Sequence, residues 1–207
     1  MSDYKTVSDF GADEFVEKRS RFIGYCAPVK TQEQALEFIE KIRSKHWDAK
    51  HNVYAYILRN GSIKRYSDDG EPQGTAGVPV LDVMQKTDIT DAVVVVTRYF
   101  GGVLLGAGGL VRAYSHGAKI GIAAARPTVM ALCDNCILKC SYDKYGKVQA
   151  AVSQLEGVID DSSFTDEVSI NFHMKTGRLD ALNRELAAIS SGAIEAQKLN
   201  EGYFNCD

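Results

Sequence analysis

Glycines and arginines are concentrated in one stretch, TRYFGGVLLGAGGLVRAY, which covers residues 97–114 and follows the apolar run AVVVV. A Walker-type phosphate loop needs Gly-x-x-x-x-Gly-Lys and then Ser or Thr, because the lysine binds phosphate and the hydroxyl binds magnesium. Gly101 and Gly106 have the required separation, but Ala and Gly follow in place of the lysine and the hydroxyl. The dinucleotide pattern Gly-x-Gly-x-x-Gly fails at Val111, which stands at its third glycine position. The stretch therefore argues against both kinds of nucleotide-binding loop.

The backbone of this stretch can still bind an anion. A glycine-rich turn that leads into a helix leaves N–H groups unpaired at the helix N-terminus, and such an end attracts negative charge. Arg98 and Arg112 flank this turn, and Arg65 precedes a second glycine-led helix start at residues 74–77. The competing interpretation is that glycines such as Gly108 only let a helix pack closely on a sheet.

The resulting prediction is a surface that binds the phosphates and bases of a nucleic acid. In it the arginines contact phosphates, Tyr99 stacks on a base, and the glycines allow close approach of the backbone. The predicted residues are Arg65, Gly74, Thr75, Gly77, Arg98, Tyr99, Gly101, Gly102, Gly106, Gly108, Gly109 and Arg112.

Three carboxylates lie close together in the segment SDDGEPQGTAG, residues 67–77: Asp68, Asp69 and Glu71. Such a group can hold a hard divalent cation, or serve as acid and base in an enzyme that acts on a small phosphorylated or acidic substrate. The same residues are typical of turns, and acids just before a helix interact favourably with its dipole. We favour the turn and cap, so the sequence predicts no metal ion and no cofactor, and it leaves catalysis open.

Three cysteines form the pattern C-x-x-C-x-x-x-C at Cys133, Cys136 and Cys140, a spacing that can suggest a zinc or iron–sulfur site. The segment reads as a strand, in which alternate side chains face opposite ways. Cys136 and Cys140 would then share one face and Cys133 would point to the other. We therefore interpret all three as small apolar residues of a strand.

Composition is that of a soluble globular protein: the chain has 207 residues, of which 45% are hydrophobic and 25% charged. Its net charge of −3 excludes a basic field over the whole protein, so nucleic-acid binding requires a local patch. No apolar run is long enough to span a membrane, and the first residues do not resemble a signal peptide. Five cysteines, an odd number, fit a reducing compartment. We expect a cytoplasmic protein that does not contact membranes.

Periodicity divides the first part of the chain into strands and helices. Residues 31–45 follow helical spacing, with Thr31 as a capping residue. The pair at residues 60–61, Asn-Gly, lies between two strand-like runs and is typical of a hairpin turn. The β-branched run at residues 91–97 predicts a central strand that is buried on both faces.

The second part reads strand, helix, strand, strand, helix, strand, which is the split βαβ or ferredoxin-like arrangement. Thr176 is the predicted cap of its second helix and Gly192 the predicted stop. No Gly/Ser-rich or Pro-rich linker separates the two parts, so their boundary follows from topology. The prediction is an α+β protein of two α/β-sandwich domains, residues 1–133 and residues 134–207.

Two long segments resemble the hallmark motifs of the IMPACT family in its bacterial YigZ-like branch. They are YSDDGEPQGTAGVPVLDVM at residues 66–84 and VVTRYFGGVLLGAGGLVRAYSHGA at residues 95–118. The resemblance implies an N-terminal fold shared with a ribosomal small-subunit protein and with the fourth domain of elongation factor G. It also implies a C-terminal domain similar to the fifth domain of that factor.

Function follows from the predicted surface and this resemblance together. We expect a non-catalytic protein that binds RNA or the ribosome and modulates translation, with further protein partners in the translation machinery. Two alternatives are an enzyme that uses the acidic loop and a protein-binding adaptor that docks through the ferredoxin-like sheet. Neither the RNA nor the oligomeric state follows from the sequence.

Overall fold

The computed structural model describes residues 3–205 and divides the chain into two compact units. The first unit comprises residues 4–128, and the second comprises residue 3 and the chain from Val129 onward. The division falls inside one long strand, Pro127–Cys140, which the chain follows without interruption. The change of unit comes slightly earlier than the predicted boundary at residues 133–134.

The first unit contains one antiparallel five-stranded sheet and three helices. Its strand order is β2-β3-β6-β4-β5, so β6 is the central strand, as its β-branched run predicts. The elements are β1 (Tyr4–Val7), β2 (Gly11–Glu17), β3 (Ser20–Pro28), α1 (Gln32–Lys45), β4 (His51–Leu58), β5 (Ile63–Ser67), α2 (Gly77–Lys86), β6 (Ala92–Tyr99) and α3 (Ala107–Ala124).

Helices cover both faces of this sheet. Val94 and Val96 of β6 belong to the apolar core under α2 and α3, whereas Val93 and Val95 belong to the core under α1. Alternate side chains of a strand point to opposite faces, so this division assigns every other β6 residue to one face or the other.

Local signals account for two of these boundaries. Thr31 accepts a hydrogen bond from the Gln34 N–H at the start of α1, and the Gln34 side chain accepts one from the Lys30 N–H. The predicted hairpin joins β4 to β5, but its turn is a short 3₁₀ segment, Asn60–Ser62, instead of a two-residue turn. Trp47, just after α1, is 84% exposed.

The second unit has the predicted ferredoxin-like βαββαβ order. Its strands lie in the antiparallel order β10-β7-β9-β8, and its two helices share one apolar core with the sheet. The elements are β7 (Pro127–Cys140), α4 (Tyr145–Gln154), β8 (Val158–Phe164), β9 (Val168–Lys175), α5 (Leu179–Ser190) and β10 (Gln197–Asn205).

Side chains of the second unit confirm the predicted strand alternation. Cys136 and Cys140 belong to the core between sheet and helices, and Cys133 is buried outside that core. Burial raises the pKa of the Cys136 thiol to about 11. The predicted cap Thr176 instead hydrogen-bonds the Leu132 carbonyl, because α5 starts later, after Arg178.

Within residues 3–205, none of the helices has the length and apolar character needed to cross a membrane.

Candidate nucleic-acid interface

Arg98 lies under α2 and α3 and is buried, not exposed as the prediction requires. Its Nη1 lies 2.6 Å from Glu71 Oε1, and the exposed fractions of the two side chains are 6% and 4%. The Tyr114 hydroxyl donates to the same Glu71 oxygen at 2.8 Å. Burial first, and the Glu71 charge second, raise the pKa of Tyr114 well above its ordinary value. Arg98 is therefore not part of a phosphate-binding surface. It belongs to a buried polar cluster with Glu71 and Tyr114.

Tyr99 and Arg65 point to the opposite face of the sheet from α3. Tyr99 packs against the core under α1, and its hydroxyl contacts His46 Nδ1 at 2.8 Å and donates to Asp48 at 2.9 Å. Arg65 is exposed on the edge strand β5, opposite Tyr56, which belongs to that same core. Because both side chains lie on the α1 face, they are separated from Arg112 of α3. Their proximity to glycines in the sequence does not show on which face of the sheet a side chain lies.

The second predicted anion site, at the start of α2, is filled by the chain's own carboxylate. Asp68 accepts hydrogen bonds from the N–H groups of Gly74 at 2.9 Å, Ala76 at 3.1 Å and Gly77 at 2.8 Å. Thr75 donates its hydroxyl to the Pro72 carbonyl. The turn-and-cap interpretation therefore describes Asp68, and the N–H groups we expected to be unpaired are not available to a ligand.

The remaining acids of the loop also have partners. Asp69 accepts from Arg43 at 2.9 Å and from the Asn52 N–H at 2.6 Å. His51 Nε2 lies 3.9 Å from Glu71. In the part of the chain that the structure describes, no three His, Cys, Asp or Glu side chains are placed to hold a metal ion. The loop connects α1, β4, α2 and β6 through these contacts.

Glycines of the predicted surface have different structural reasons. A Cβ at Gly101 would lie 2.0 Å from the backbone of Arg19, so this position requires glycine. Gly102 and Gly106 have φ values of 81° and 71°, in the left-handed region that favours glycine. Gly108 has open space around it, with only the Arg112 guanidinium within 4 Å.

Close packing of α3 on the sheet occurs further along the helix. A Cβ at Gly24 of β3 would lie 1.9 Å from the Gly117 carbonyl oxygen, and Gly121 approaches Gly24 in the same way. A Cβ at Gly109 would lie 2.9 Å from Leu105 Cβ. The packing interpretation thus applies to Gly117 and Gly121, not to Gly108.

The start of α3 has backbone N–H groups without a helical partner, as the sequence predicts. The Leu110 N–H makes the first helical bond, to Gly106, so the N–H groups of residues 107–109 precede it. Three polar side chains follow on the exposed face of the helix: Arg112, His116 and Lys119. No Asp or Glu occurs between residues 92 and 133, so α3 carries no compensating acid.

Two further cations adjoin this face, and we did not predict them. Lys18 and Arg19 form the two-residue turn between β2 and β3, with φ values of 44° and 68°. Turns of this shape favour Asn-Gly, so the sequence carries no turn signal here. The Gly101 contact with Arg19 places the turn beside the glycine loop, residues 100–106 between β6 and α3. We call Lys18, Arg19, Arg112, His116 and Lys119 the basic face.

A cleft of about 460 Å³ lies between the β2–β3 hairpin and α3. Lys18, Arg112 and His116 line it, together with the apolar side chains of Phe15 and Leu105. Beside the cleft, the loop before α3 exposes Leu104 to 81%. The surface therefore combines cations, backbone N–H groups and apolar contacts.

Comparisons with known proteins agree with this two-unit architecture. The model of the Impact N-terminal domain matches residues 18–122, and a domain of unknown function, DUF1949, matches residues 138–193. The first match covers β3 to β6, the glycine loop and all but the last two residues of α3, and the second lies within the ferredoxin-like unit.

Whole-length relatives show the same relationship. IMPACT family member YvyE of Bacillus subtilis is 35% identical over 96% of this chain and 92% of its own length. IMPACT family member YigZ of Escherichia coli is 31% identical over 89% of this chain and 92% of its own length. A crystal structure of a hypothetical protein has a TM-score of 0.61 and 28% identity, covering 97% of this chain and 98% of that one.

The class of protein is defined by an α+β unit with a glycine-rich loop before α3, followed by a ferredoxin-like unit. The chain belongs to the IMPACT family.

Proposed function

We propose that this protein binds structured RNA, as part of the ribosome or of its substrates, and thereby modulates translation in the cytoplasm. The observation that carries the proposal is the basic face, where Lys18, Arg19 and Arg112 are exposed around the start of α3. Phosphate contacts supply most of the sequence-independent affinity for nucleic acids, and lysine and arginine make them.

The cations of this face are available to a ligand. Within residues 3–205, no carboxylate forms an ion pair with Lys18, Arg19 or Arg112, whereas Arg98 and Arg43 are paired. The net charge of the chain is negative, so this local concentration of positive charge is a departure from the average surface.

Backbone conformation in the β2–β3 turn supports the same proposal. A left-handed conformation costs free energy for residues other than glycine, asparagine and aspartate. Lys18 and Arg19 both adopt it, although Asn-Gly would form the turn at lower cost. A function for two cations at this position accounts for the difference.

The link to translation rests on the family resemblance of the two motif segments. The enzyme alternative loses support because Asp68, Asp69 and Glu71 are all engaged by donors of the chain itself. The ferredoxin-like sheet as a docking surface has no specific observation in its favour.

Titration of a fluorescently labelled ribosomal RNA hairpin tests the proposal, with the affinity measured at two salt concentrations. We expect a Lys18→Ala/Arg112→Ala variant to bind more weakly and to reduce the slope of log K against log salt by about 2, roughly 1 for each lost phosphate contact. Arg65→Ala is the matched control, because Arg65 is also exposed but lies on the opposite face of the sheet. Absence of binding at low salt, or equal loss in the control, would contradict the proposal.

Ribosome association requires a separate measurement. We expect the wild-type protein to co-sediment with ribosomal particles at low salt and the Lys18→Ala/Arg112→Ala variant to remain in the supernatant. Addition of each protein to a cell-free translation reaction then shows whether binding changes the yield of a reporter. If the protein binds ribosomal particles but the reporter yield does not change, the proposed modulation of translation is contradicted and the RNA binding is not.

A further inference from the structure

The cleft beside α3 has the size and composition of a ligand site. Its volume of about 460 Å³ falls within the roughly 300–1,000 Å³ typical of small-molecule pockets. One wall is the β2–β3 hairpin with Phe15, and the other is the first half of α3 with Gly109 and His116. Leu105 packs closely on the helix at Gly109, where a Cβ would lie 2.9 Å from Leu105 Cβ.

Ring contacts hold the apolar part of the cleft in position. The Phe15 ring stacks on the buried Phe22 ring with centroids 5.1 Å apart, and it contacts the His116 ring edge to face at 4.5 Å. Leu105 is buried and supports the side next to Gly109. A flat apolar ligand that enters therefore meets surfaces that are already in place, which limits the entropy lost on binding.

Charged groups of the lining favour a ligand that also carries negative charge. Lys18 and Arg112 are exposed and line the same cleft as Phe15, and Glu17 is the acid among the lining residues. The N–H groups of residues 107–109 belong to the helix turn that also contributes Gly109 to the lining. A planar apolar group joined to a phosphate matches this combination, and a nucleotide has that chemistry.

We propose that the cleft holds one unpaired nucleotide of an RNA whose neighbouring phosphates lie on the basic face. The base contacts Phe15, Leu105 and the His116 ring, and its phosphate contacts Lys18 and Arg112. This inference rests on the proposed function and narrows it: the preferred RNA carries a bulged or single-stranded nucleotide next to a paired segment. Unpaired nucleotides are accessible to such a cleft because their bases are not held in a helical stack.

Two RNA hairpins with stems of equal length test this inference. One stem is fully paired, and the other carries a single bulged adenosine. We expect the wild-type protein to bind the bulged hairpin roughly tenfold more tightly, a difference of the size that one stacked base contributes. His116→Ala should weaken binding of the bulged hairpin roughly tenfold more than binding of the paired hairpin, so that the preference is lost. His116 is an exposed helix residue and alanine favours helix, so the variant is expected to fold.

Lys119→Ala is the matched control. Lys119 is exposed on the same face of α3 but does not line the cleft. Its loss should therefore lower the affinity for both hairpins by the same factor. With 2-aminopurine at the bulge, its fluorescence should change on binding to the wild type and to Lys119→Ala, but not on binding to His116→Ala.

The outcomes separate this inference from the proposed function. Equal affinity for both hairpins, with the salt dependence intact, overturns the nucleotide cleft and leaves RNA binding in place. Binding to neither hairpin overturns both. If AMP alone binds with the same sensitivity to His116→Ala while the hairpins are bound equally, the ligand is a free nucleotide and the RNA assignment is overturned.

Discussion

Glu71 Oε1 lies 2.6 Å from Arg98 Nη1, and this ion pair is almost completely buried between the sheet and helices α2 and α3. Glu71 comes from the acidic loop and Arg98 from the end of the central strand, so the pair joins the two motif segments of the family. The Tyr114 hydroxyl adds a contact from α3 to the same oxygen. The two segments therefore depend on each other for their positions.

Removal of one partner of this pair should destabilise the first unit strongly. Arg98→Met leaves the Glu71 carboxylate buried without its cation, and loss of one partner of a buried pair costs about 3–5 kcal/mol. Urea denaturation followed by circular dichroism measures the free energy of unfolding. Arg65→Met removes an exposed arginine and should change it by less than about 0.5 kcal/mol. Similar values for the two variants would show that the Glu71–Arg98 pair does not stabilise the fold.

Asp68 should be required for the start of α2. Its carboxylate accepts from three backbone N–H groups, so Asp68→Ala is expected to cost roughly 2 kcal/mol. Asp82→Ala removes an exposed acid of the same helix and should have little effect on the free energy of unfolding.

The same variants decide whether the acidic loop binds a metal ion. A rise in Tm of the wild type with Mg²⁺ or Mn²⁺ that Asp68→Ala abolishes would favour a metal site over the cap.

Patterns over neighbouring residues predicted most of the fold. The β-branched run before Arg98 is the central strand, and the order of the second unit is the predicted one. Side-chain partners were not predictable, because they lie far apart in sequence. Glu71 and Arg98 are separated by 27 residues, and the burial of Arg98 depends on that contact. The exposed turn at Lys18 and Arg19 was missed because it lacks the residues that usually form such turns.

Glycines of the glycine-rich stretch illustrate the same limit. Their number in the sequence predicted either close packing or an anion site, but not which glycine serves which purpose. The structure places a close backbone contact at Gly101 and open space at Gly108 within the stretch, and it places the close packing of α3 on Gly24 beyond the stretch, at Gly117 and Gly121. Only the position of each residue relative to the sheet makes this distinction.

Substitution of these glycines should therefore have opposite effects. Gly24→Ala places a Cβ 1.9 Å from the Gly117 carbonyl oxygen, so β3 and α3 must separate. We expect a loss of about 3 kcal/mol or more, or failure to fold. Gly108→Ala meets no obstacle near the start of α3 and should stabilise the helix by up to about 1 kcal/mol. Thermal denaturation of both variants checks the pair, and a stable Gly24→Ala protein would contradict the close approach.

His46 should make the first unit less stable in mild acid. Its Nε2 contacts the Tyr25 hydroxyl at 2.6 Å and its Nδ1 contacts the Tyr99 hydroxyl at 2.8 Å, so the neutral ring fits its partners. Burial first, and the charges of Lys45 and Arg21 next, lower the pKa of His46 in the folded protein. The ordinary pKa of histidine, about 6.5, applies to the unfolded chain.

Between these two pKa values the unfolded chain binds the proton and the folded protein does not, so the contribution of His46 falls as the pH drops below about 6.5. The free energy of unfolding, measured by urea denaturation from pH 7.5 to pH 5, should therefore decline more steeply in the wild type than in His46→Gln. Carboxylates contribute equally to both proteins, so the difference between the two curves isolates His46. His116→Gln, a substitution of an exposed histidine, serves as the control and should retain the steeper decline. Parallel curves for the wild type and His46→Gln would show that His46 binds protons equally in the folded and unfolded states.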